Sequence, residues 1–305
     1  MSPKQPVRLC SPPKNFMRRL IINADDLGLT LGVNRAILEA HTKGVVTSST
    51  LMANSAAFDQ AAALAKATSS LSVGCHVVLV DGGPLTEPEK VSSLLAGNGS
   101  NHFVSGIAEF ARRALRGKLV ADEIEAEAFA QMRKIQASGI ELTHFDSHKH
   151  THMFPSVLRP LIRAAKESGI RAVRNPFAPL RELTFAHLLR RPNLWVRSSQ
   201  MGVLHRFAAG FRHEVEAAGL RTTDGTLGVL VTGVLDEKLF SAIMGSIPEG
   251  TWEFVCHPGY SDADLSRVKT RLRSSRESEL HVLTSPESRS LLQRHGIELI
   301  NYTEL

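Results

Sequence analysis

The chain is 305 residues long, 43% hydrophobic and 22% charged, enough to bury a large core and too apolar for wholesale disorder. Its formal net charge of +6 favours acidic partners, but the basic residues are dispersed, aromatics make up only 6% and no nucleic-acid motif is present, so nucleic acid is not an expected partner. Three cysteines (Cys10, Cys75 and Cys256) form no CxxC pair, which fits a reducing compartment, and no window reaches the ~20 apolar residues that span a bilayer.

Residues 1–18 are basic and rich in proline, without the apolar centre of a signal peptide. They read as a disordered leader before a single domain over 19–305, expected in the cytoplasm with room for peripheral membrane contact. The segment 19–23 reads as a buried strand leading to Asp25 and Asp26. A helix over 33–43, a strand over 48–52, an alanine-rich helix over 56–67 and a strand over 71–80 follow. Gly82-Gly83-Pro84 then opens a loop reaching Val104, long enough to act as a lid. Helical periodicity returns over 107–116 and 121–137. A strand over 140–145 delivers His144-Phe145-Asp146-Ser147-His148-Lys149-His150-Thr151-His152. Next come a helix over 155–168, a short strand over 171–173 ending at Arg174, and a mostly helical stretch over 180–218. Short strands are expected near 221–223 and 229–231, then a helix over 235–246 and a strand over 251–256 ending at His257. Helices over 265–283 and 288–295 and a strand over 297–300 complete the chain.

Strand and helix alternate throughout with no linker, which predicts an α/β fold with a parallel sheet. Seven or so βα units in a chain of this length favour a (β/α) barrel of TIM-like or distorted seven-stranded type, with helices outside. Asp25-Asp26, His76, His148 and His257 all fall at or near the C-terminal ends of expected strands. Barrels gather their chemistry on that face.

Each polar cluster has a chemical and a structural reading. Asp25 and Asp26 follow a purely apolar run, so one could ligate a metal while the other takes a proton from water; alternatively they cap a helix. His76 is either a ligand or a satisfied core histidine. If the chain stays extended, His144, Asp146, His148, His150 and His152 share a face, which favours a metal site over a hydrogen-bonded polar loop. One Asp and two His would leave positions free for water and substrate, with His150 the competitor of His148 for ligation. His257 in Cys256-His257-Pro258-Gly259-Tyr260 is a candidate proton donor or a turn residue. Arg174 either orients a carboxylate or lies on the surface. Cys75 and Cys256 read as small buried hydrophobes rather than nucleophiles, and Arg267 to Arg276 as a solvated helix face.

Four segments in this order resemble the YdjC/ChbG carbohydrate deacetylases: Ile22-Asn23-Ala24-Asp25-Asp26-Leu27-Gly28, Gly74-Cys75-His76-Val77-Val78-Leu79, Thr143-His144-Phe145-Asp146-Ser147-His148-Lys149-His150 and Cys256-His257-Pro258-Gly259-Tyr260. The resemblance implies a barrel-like (β/α) fold and hydrolysis of an N-acetyl group from an acetylated amino sugar. It implies a divalent metal, foremost Zn or Mg, with Mn, Fe and Co also accommodated, held by Asp26, His76 and His148. It further implies Asp25 as base and His257 as acid, with Asp146, Arg174 and His150 binding substrate or supporting the ligands. Around Thr47 to Met52 and Trp252 to Leu265 the chain is most similar to the hopanoid-associated HpnK branch. That branch implies a glycolipid substrate, N-acetylglucosaminyl bacteriohopanetetrol. Val80-Asp81-Gly82-Gly83-Pro84 departs from the Thr-rich segment of relatives that act on free chitooligosaccharides. A homodimer is compatible with these features.

Three alternatives stand beside this expectation. The substrate could be a free N-acetylated oligosaccharide. Two histidines and a carboxylate also describe a non-haem Fe(II) oxygenase. A sugar- or lipid-binding barrel without activity is the non-enzyme alternative.

Overall fold

The structure is a computed structural model that describes residues 17–97, 99–179 and 192–305. Apart from Met17 and Arg18, the expected leader lies outside the described residues, as does the first part of the helical stretch expected over 180–218.

The first strand, β1 (Arg18–Leu27), runs through the centre of a seven-stranded parallel sheet. Leu20, Ile21 and Ile22 are all fully buried, as a strand covered on both faces requires. One edge of β1 pairs along Arg18–Ala24 with β6 (Gly250–Cys256). The other edge is shared: β7 (Ile297–Leu299) takes its first residues and β2 (Ser48–Leu51) its last. Beyond β2 lie β3 (Ser72–Val77) and β4 (Phe145–Ser147), and beyond β6 lies β5 (Gly225–Leu227).

The outer strands β4 and β5 do not pair with each other. Among the described residues, isolated bridges, Phe145 with Val173 and Ala172 with Arg221, stand between them. The closed ring of strands expected from the βα count is therefore replaced by an open, curved parallel sheet whose gap is spanned by single bridges. The segments expected as strands over 171–173 and 221–223 contribute only those bridges. The strand expected over 229–231 is a run of turns, and the pairing residues lie earlier, in β5. Gly228 explains this: β5 stops there because the chain turns left-handed at φ 91° against the Val255 carbonyl, where a Cβ would sit 2.5 Å away.

Helices pack outside the sheet. Thr30 caps α1 (Leu31–Thr42) by accepting from Val33 N at 3.2 Å. Among the others are α2 (Phe58–Ala67), α3 (Ile107–Leu115), α4 (Ala121–Ala137) and α5 (Pro155–Glu167). The described part of the next helical stretch holds α6 (Pro192–Leu204) and α7 (Ala208–Ala217), followed by α8 (Glu237–Ser246). The single helix expected over 265–283 is two, α9 (Ala263–Arg267) and α10 (Ser274–Thr284), because Val268 turns extended at ψ 135°. The last is α11 (Pro286–Arg294).

The loop over 82–104 is fastened down. The Glu127 carboxylate accepts from Leu85 N and Thr86 N, and Val91, Leu94 and Phe103 are buried in the core. Among the described residues no helix is long and apolar enough to cross a membrane.

Candidate active site

At the C-terminal edge of the sheet, β1 presents Asp25 and Asp26. Extended backbone sends adjacent side chains to opposite faces. Here the β1–β2 register shifts between Ala24 and Leu27, and Asp26 adopts a left-handed φ of 68°. Such irregularities re-aim side chains and are strained for a residue with a Cβ. Two contacts hold Asp26 there: its carbonyl accepts from Leu29 N at 3.0 Å, and Oδ2 accepts from Arg276 Nη2 at 2.5 Å.

His76 in β3 is the register partner of Asp146 in β4, so the two side chains project to one face. The His76 Nδ1 and Asp146 Oδ1 atoms are 2.8 Å apart. On its other side, His76 Nε2 lies 3.6 Å from Asp26 Oδ1 and 3.3 Å from His148 Nδ1. The third edge, His148 Nδ1 to Asp26 Oδ1, is 3.5 Å. Zinc–nitrogen bonds of roughly 2.0–2.1 Å in a tetrahedron set ligand atoms about 3.3 Å apart. The triangle therefore has the size and the donor chemistry to hold one divalent ion, with Asp146 orienting the histidine behind it. Asp26 and His76 are buried, whereas the His148 side chain is 23% exposed, which leaves the site open on that side. A second cluster, Asp25, His76 and Asp146, also brings its donors together. Its carboxylates already face the guanidinium of Arg174, which fills the place of a cation.

Arg174 is fully buried and serves three acids. Nη1 and Nη2 donate to the two oxygens of Asp25 at 2.8 and 2.6 Å, Nε donates to Glu253 at 2.8 Å, and Nη1 also meets Asp146. Burial works to raise the Asp25 pKa, but Arg174 outweighs it and holds the acid below the ordinary carboxylate range. Asp26 behaves alike: burial opposes ionisation, and Arg276 and then His148 overcome it. For His76 burial works downward, while Asp146, then Asp25 and Asp26, hold the imidazole up at about 9. Thr50 in β2 sits between these groups, its hydroxyl 3.2 Å from His76 Nδ1 and 3.3 Å from an oxygen of both Asp25 and Asp146.

His257 follows β6 and comes within 3.8 Å of Asp25 Oδ2 through Nε2. Cys75 and Cys256 are buried in the strands, and burial pushes both thiols far up, as small core residues rather than nucleophiles.

The histidine cluster does not stay extended. After Ser147 the chain enters a tight turn in which Lys149 and His150 are both left-handed, with φ of 55° and 53°. The shared face expected for His144, Asp146, His148, His150 and His152 is thereby lost, and only Asp146 and His148 reach the triad. His144 stacks on Tyr302 with ring centres 3.5 Å apart. His152 is buried and fastens the turn, its Nδ1 2.6 Å from Ser147 Oγ and its backbone N donating to the same oxygen. His150 is half-buried beside the site but no ligand atom of it joins the triad.

Of the residues singled out from sequence, Asp25, Asp26, His76, Asp146, His148, Arg174 and His257 converge here. Sequence reasoning missed Thr50, Glu253, Arg276 and Glu279, all buried polar groups that complete the network. Arg276, expected on a solvated helix face, is almost wholly buried against Asp26. For Glu253 a signal existed: an acid inside the apolar strand Trp252-Glu253-Phe254-Val255 needs a buried partner.

The YdjC-like protein family matches residues 19–294. A carbohydrate deacetylase of Geobacillus stearothermophilus is 36% identical over 290 residues, covering 94% of this chain and 98% of the relative. A second, from Brevibacillus brevis, is 32% identical over 292 residues, covering 94% and 99%. A crystal structure from Enterococcus faecalis V583, of a protein named for cellobiose-phosphate cleavage, superposes with a TM-score of 0.75 at 25% identity over 94% of this chain and 98% of that one. With the match running from the first core strand through the last outer helix, and with the acidic pair, the lone strand histidine and the clustered histidines meeting in one pocket, the chain belongs to the YdjC-like family.

Proposed function

We propose that this chain is a carbohydrate deacetylase that removes the N-acetyl group of an acetylated amino sugar with the help of one divalent metal ion. The observation that carries the reading is the triangle of Asp26, His76 and His148 beside the ionised Asp25 and the histidine His257. Relatives of nearly the same length, 32% and 36% identical, are named carbohydrate deacetylases.

Asp26 Oδ1, His76 Nε2 and His148 Nδ1 would hold the ion, which when bound lowers the pKa of water and polarises the acetyl carbonyl. Asp25, kept anionic by Arg174, takes the proton of the attacking water. His257, on the other side of Asp25 Oδ2, gives a proton to the departing amine. Asp146 holds the His76 ring in place through Nδ1. His150, two residues beyond His148 and half-buried, would contact substrate.

The similarity to the HpnK branch around Thr47 to Met52 and Trp252 to Leu265 supports a lipid-linked amino sugar, N-acetylglucosaminyl bacteriohopanetetrol, over a free oligosaccharide. A glycolipid substrate would bring the enzyme to the cytoplasmic face of a membrane as a peripheral protein, as a monomer or a homodimer.

The test is acetate release from free and lipid-linked N-acetylglucosaminides by metal-loaded protein under anoxia. Acetate release in the wild type, lost by about 10²–10⁴-fold in Asp25→Asn with metal content retained, is expected. An oxygen requirement would replace hydrolysis by oxygenase chemistry, and near-wild-type turnover in Asp25→Asn would remove Asp25 as the base.

A further inference from the structure

The geometry points to Glu279 as the positioning residue of His257, an assignment that rests on the deacetylase reading for its kinetic consequences. Glu279 lies on α10, one helical turn beyond Arg276, so both side chains leave the same face of that helix. Arg276 reaches the ligand Asp26, and Glu279 reaches His257. The carboxylate is 2% exposed. Its Oε2 accepts from the backbone N of His257 at 2.6 Å and lies 3.9 Å from the ring Nδ1. Its Oε1 accepts from Gly233 N at 3.3 Å. Burying a carboxylate is costly unless its partners use the charge, and two backbone donors alone would be served equally well by a neutral amide.

The ring supplies the further partner. Its Nδ1 is buried with no hydrogen-bond partner among the described residues, and faces Glu279, while Nε2 faces Asp25 Oδ2 at 3.8 Å. His257 therefore stands between two carboxylates, one at each nitrogen. An ionised carboxylate only accepts, so Glu279 selects the form of the ring with hydrogen on Nδ1. Nε2 is then the nitrogen that exchanges protons at the reacting atoms. In the step this serves, the C–N bond of the tetrahedral adduct breaks and its electron pair goes to nitrogen. That nitrogen takes the Nε2 proton, and the neutral ring keeps its Nδ1 hydrogen toward Glu279. Asp25 holds the proton taken from water, and its return to Nε2 restores the acid. Glu279 exchanges no proton in this cycle.

Glu279→Gln separates this role from a scaffolding one, since the amide oxygen can still accept from His257 N or Gly233 N. Zinc-loaded protein labelled with ¹⁵N-histidine reports the tautomer, with His257→Ala assigning the signals. Wild type is expected to show hydrogen on Nδ1 of the neutral His257 ring, and Glu279→Gln a mixture or the Nε2 form. With whichever of N-acetylated chitooligosaccharides and lipid-linked N-acetylglucosaminides the wild type deacetylates as probe, kcat falls at least about tenfold, within the ~10²–10⁴ that a general acid supplies, while KM and zinc content hold. In a His257→Ala background the same substitution changes kcat no further. An unchanged tautomer in Glu279→Gln, or an equal loss of kcat in both backgrounds, overturns the assignment. Absence of acetate release by the wild type from both free and lipid-linked N-acetylglucosaminides would instead overturn the deacetylase reading, and the tautomer measurement would still decide the role of Glu279.

Discussion

Arg174 grips Asp25 as a fork, Nη1 and Nη2 meeting the two carboxylate oxygens at 2.8 and 2.6 Å. The same guanidinium faces Asp146 and Glu253, so one cation balances three buried acids, the candidate base among them. Removing it leaves those charges without compensation. Arg174→Ala is expected to cost at least about 3–5 kcal/mol of stability, read from urea unfolding. Arg174→Lys keeps the charge but not the fork, and should fall between that variant and the wild type. An alanine variant as stable as the wild type would show that the fork does not hold these acids.

On the proposed ligand set, the proton on His76 makes metal binding depend on pH. Its imidazole holds a proton up to about 9, and the proton must leave before Nε2 can ligate. Below that pH, zinc affinity should rise with pH, by about tenfold per unit for one released proton, and flatten above it. The folded value lies above the ordinary histidine value of about 6.5. In chelator-treated protein the stabilisation from this proton is therefore complete below about pH 6.5 and fades as pH climbs to about 9. Zinc titrations and melting curves across pH 6 to 9 check both slopes, and a flat affinity profile contradicts the assignment of His76.

The turn after Ser147 separates two neighbouring histidines. His148 joins the triangle and His150 does not. His148→Ala should lose stoichiometric metal and all turnover, whereas His150→Ala should keep its metal and change mainly KM. Metal content after gel filtration decides between them, and the reverse pattern would exchange their roles.

Gly74 allows β3 to pass His144. A Cβ there would stand 2.5 Å from the His144 ring, which is itself stacked on Tyr302. Gly74→Ala is expected to destabilise by about 1–3 kcal/mol through overpacking. Gly97, with open space where its Cβ would be, serves as control and should tolerate alanine. Equal denaturation midpoints for the two variants would mean that the strand yields to His144 without cost.

Much of the site was legible because its chemistry follows local rules. Apolar runs such as Leu20-Ile21-Ile22 must be buried, and a polar residue just past such a run stands at a strand end. That logic picked out Asp25, Asp26, His76 and His257. It failed where backbone shape departed from the local default. Two left-handed residues, Lys149 and His150, undid the expected common face of the histidine cluster, and Val268 split one expected helix into two. The strand count likewise suggested a closed ring, but whether an outer pair joins depends on the length of ladder each can form. The segments near 172 and 221 form single bridges only.

Composition and patterning alone determined that this is a parallel α/β protein with acids and imidazoles gathered above its strands. Folding in three dimensions decided which of them meet: His148 rather than His144 or His152, and Arg276 and Glu279 as their supports. The reason is distance along the chain. Arg276 reaches a carboxylate 250 residues away, and Arg174 one 149 residues away. No periodicity encodes such pairs, since they are set by register between strands and by the way one outer helix lies across their ends.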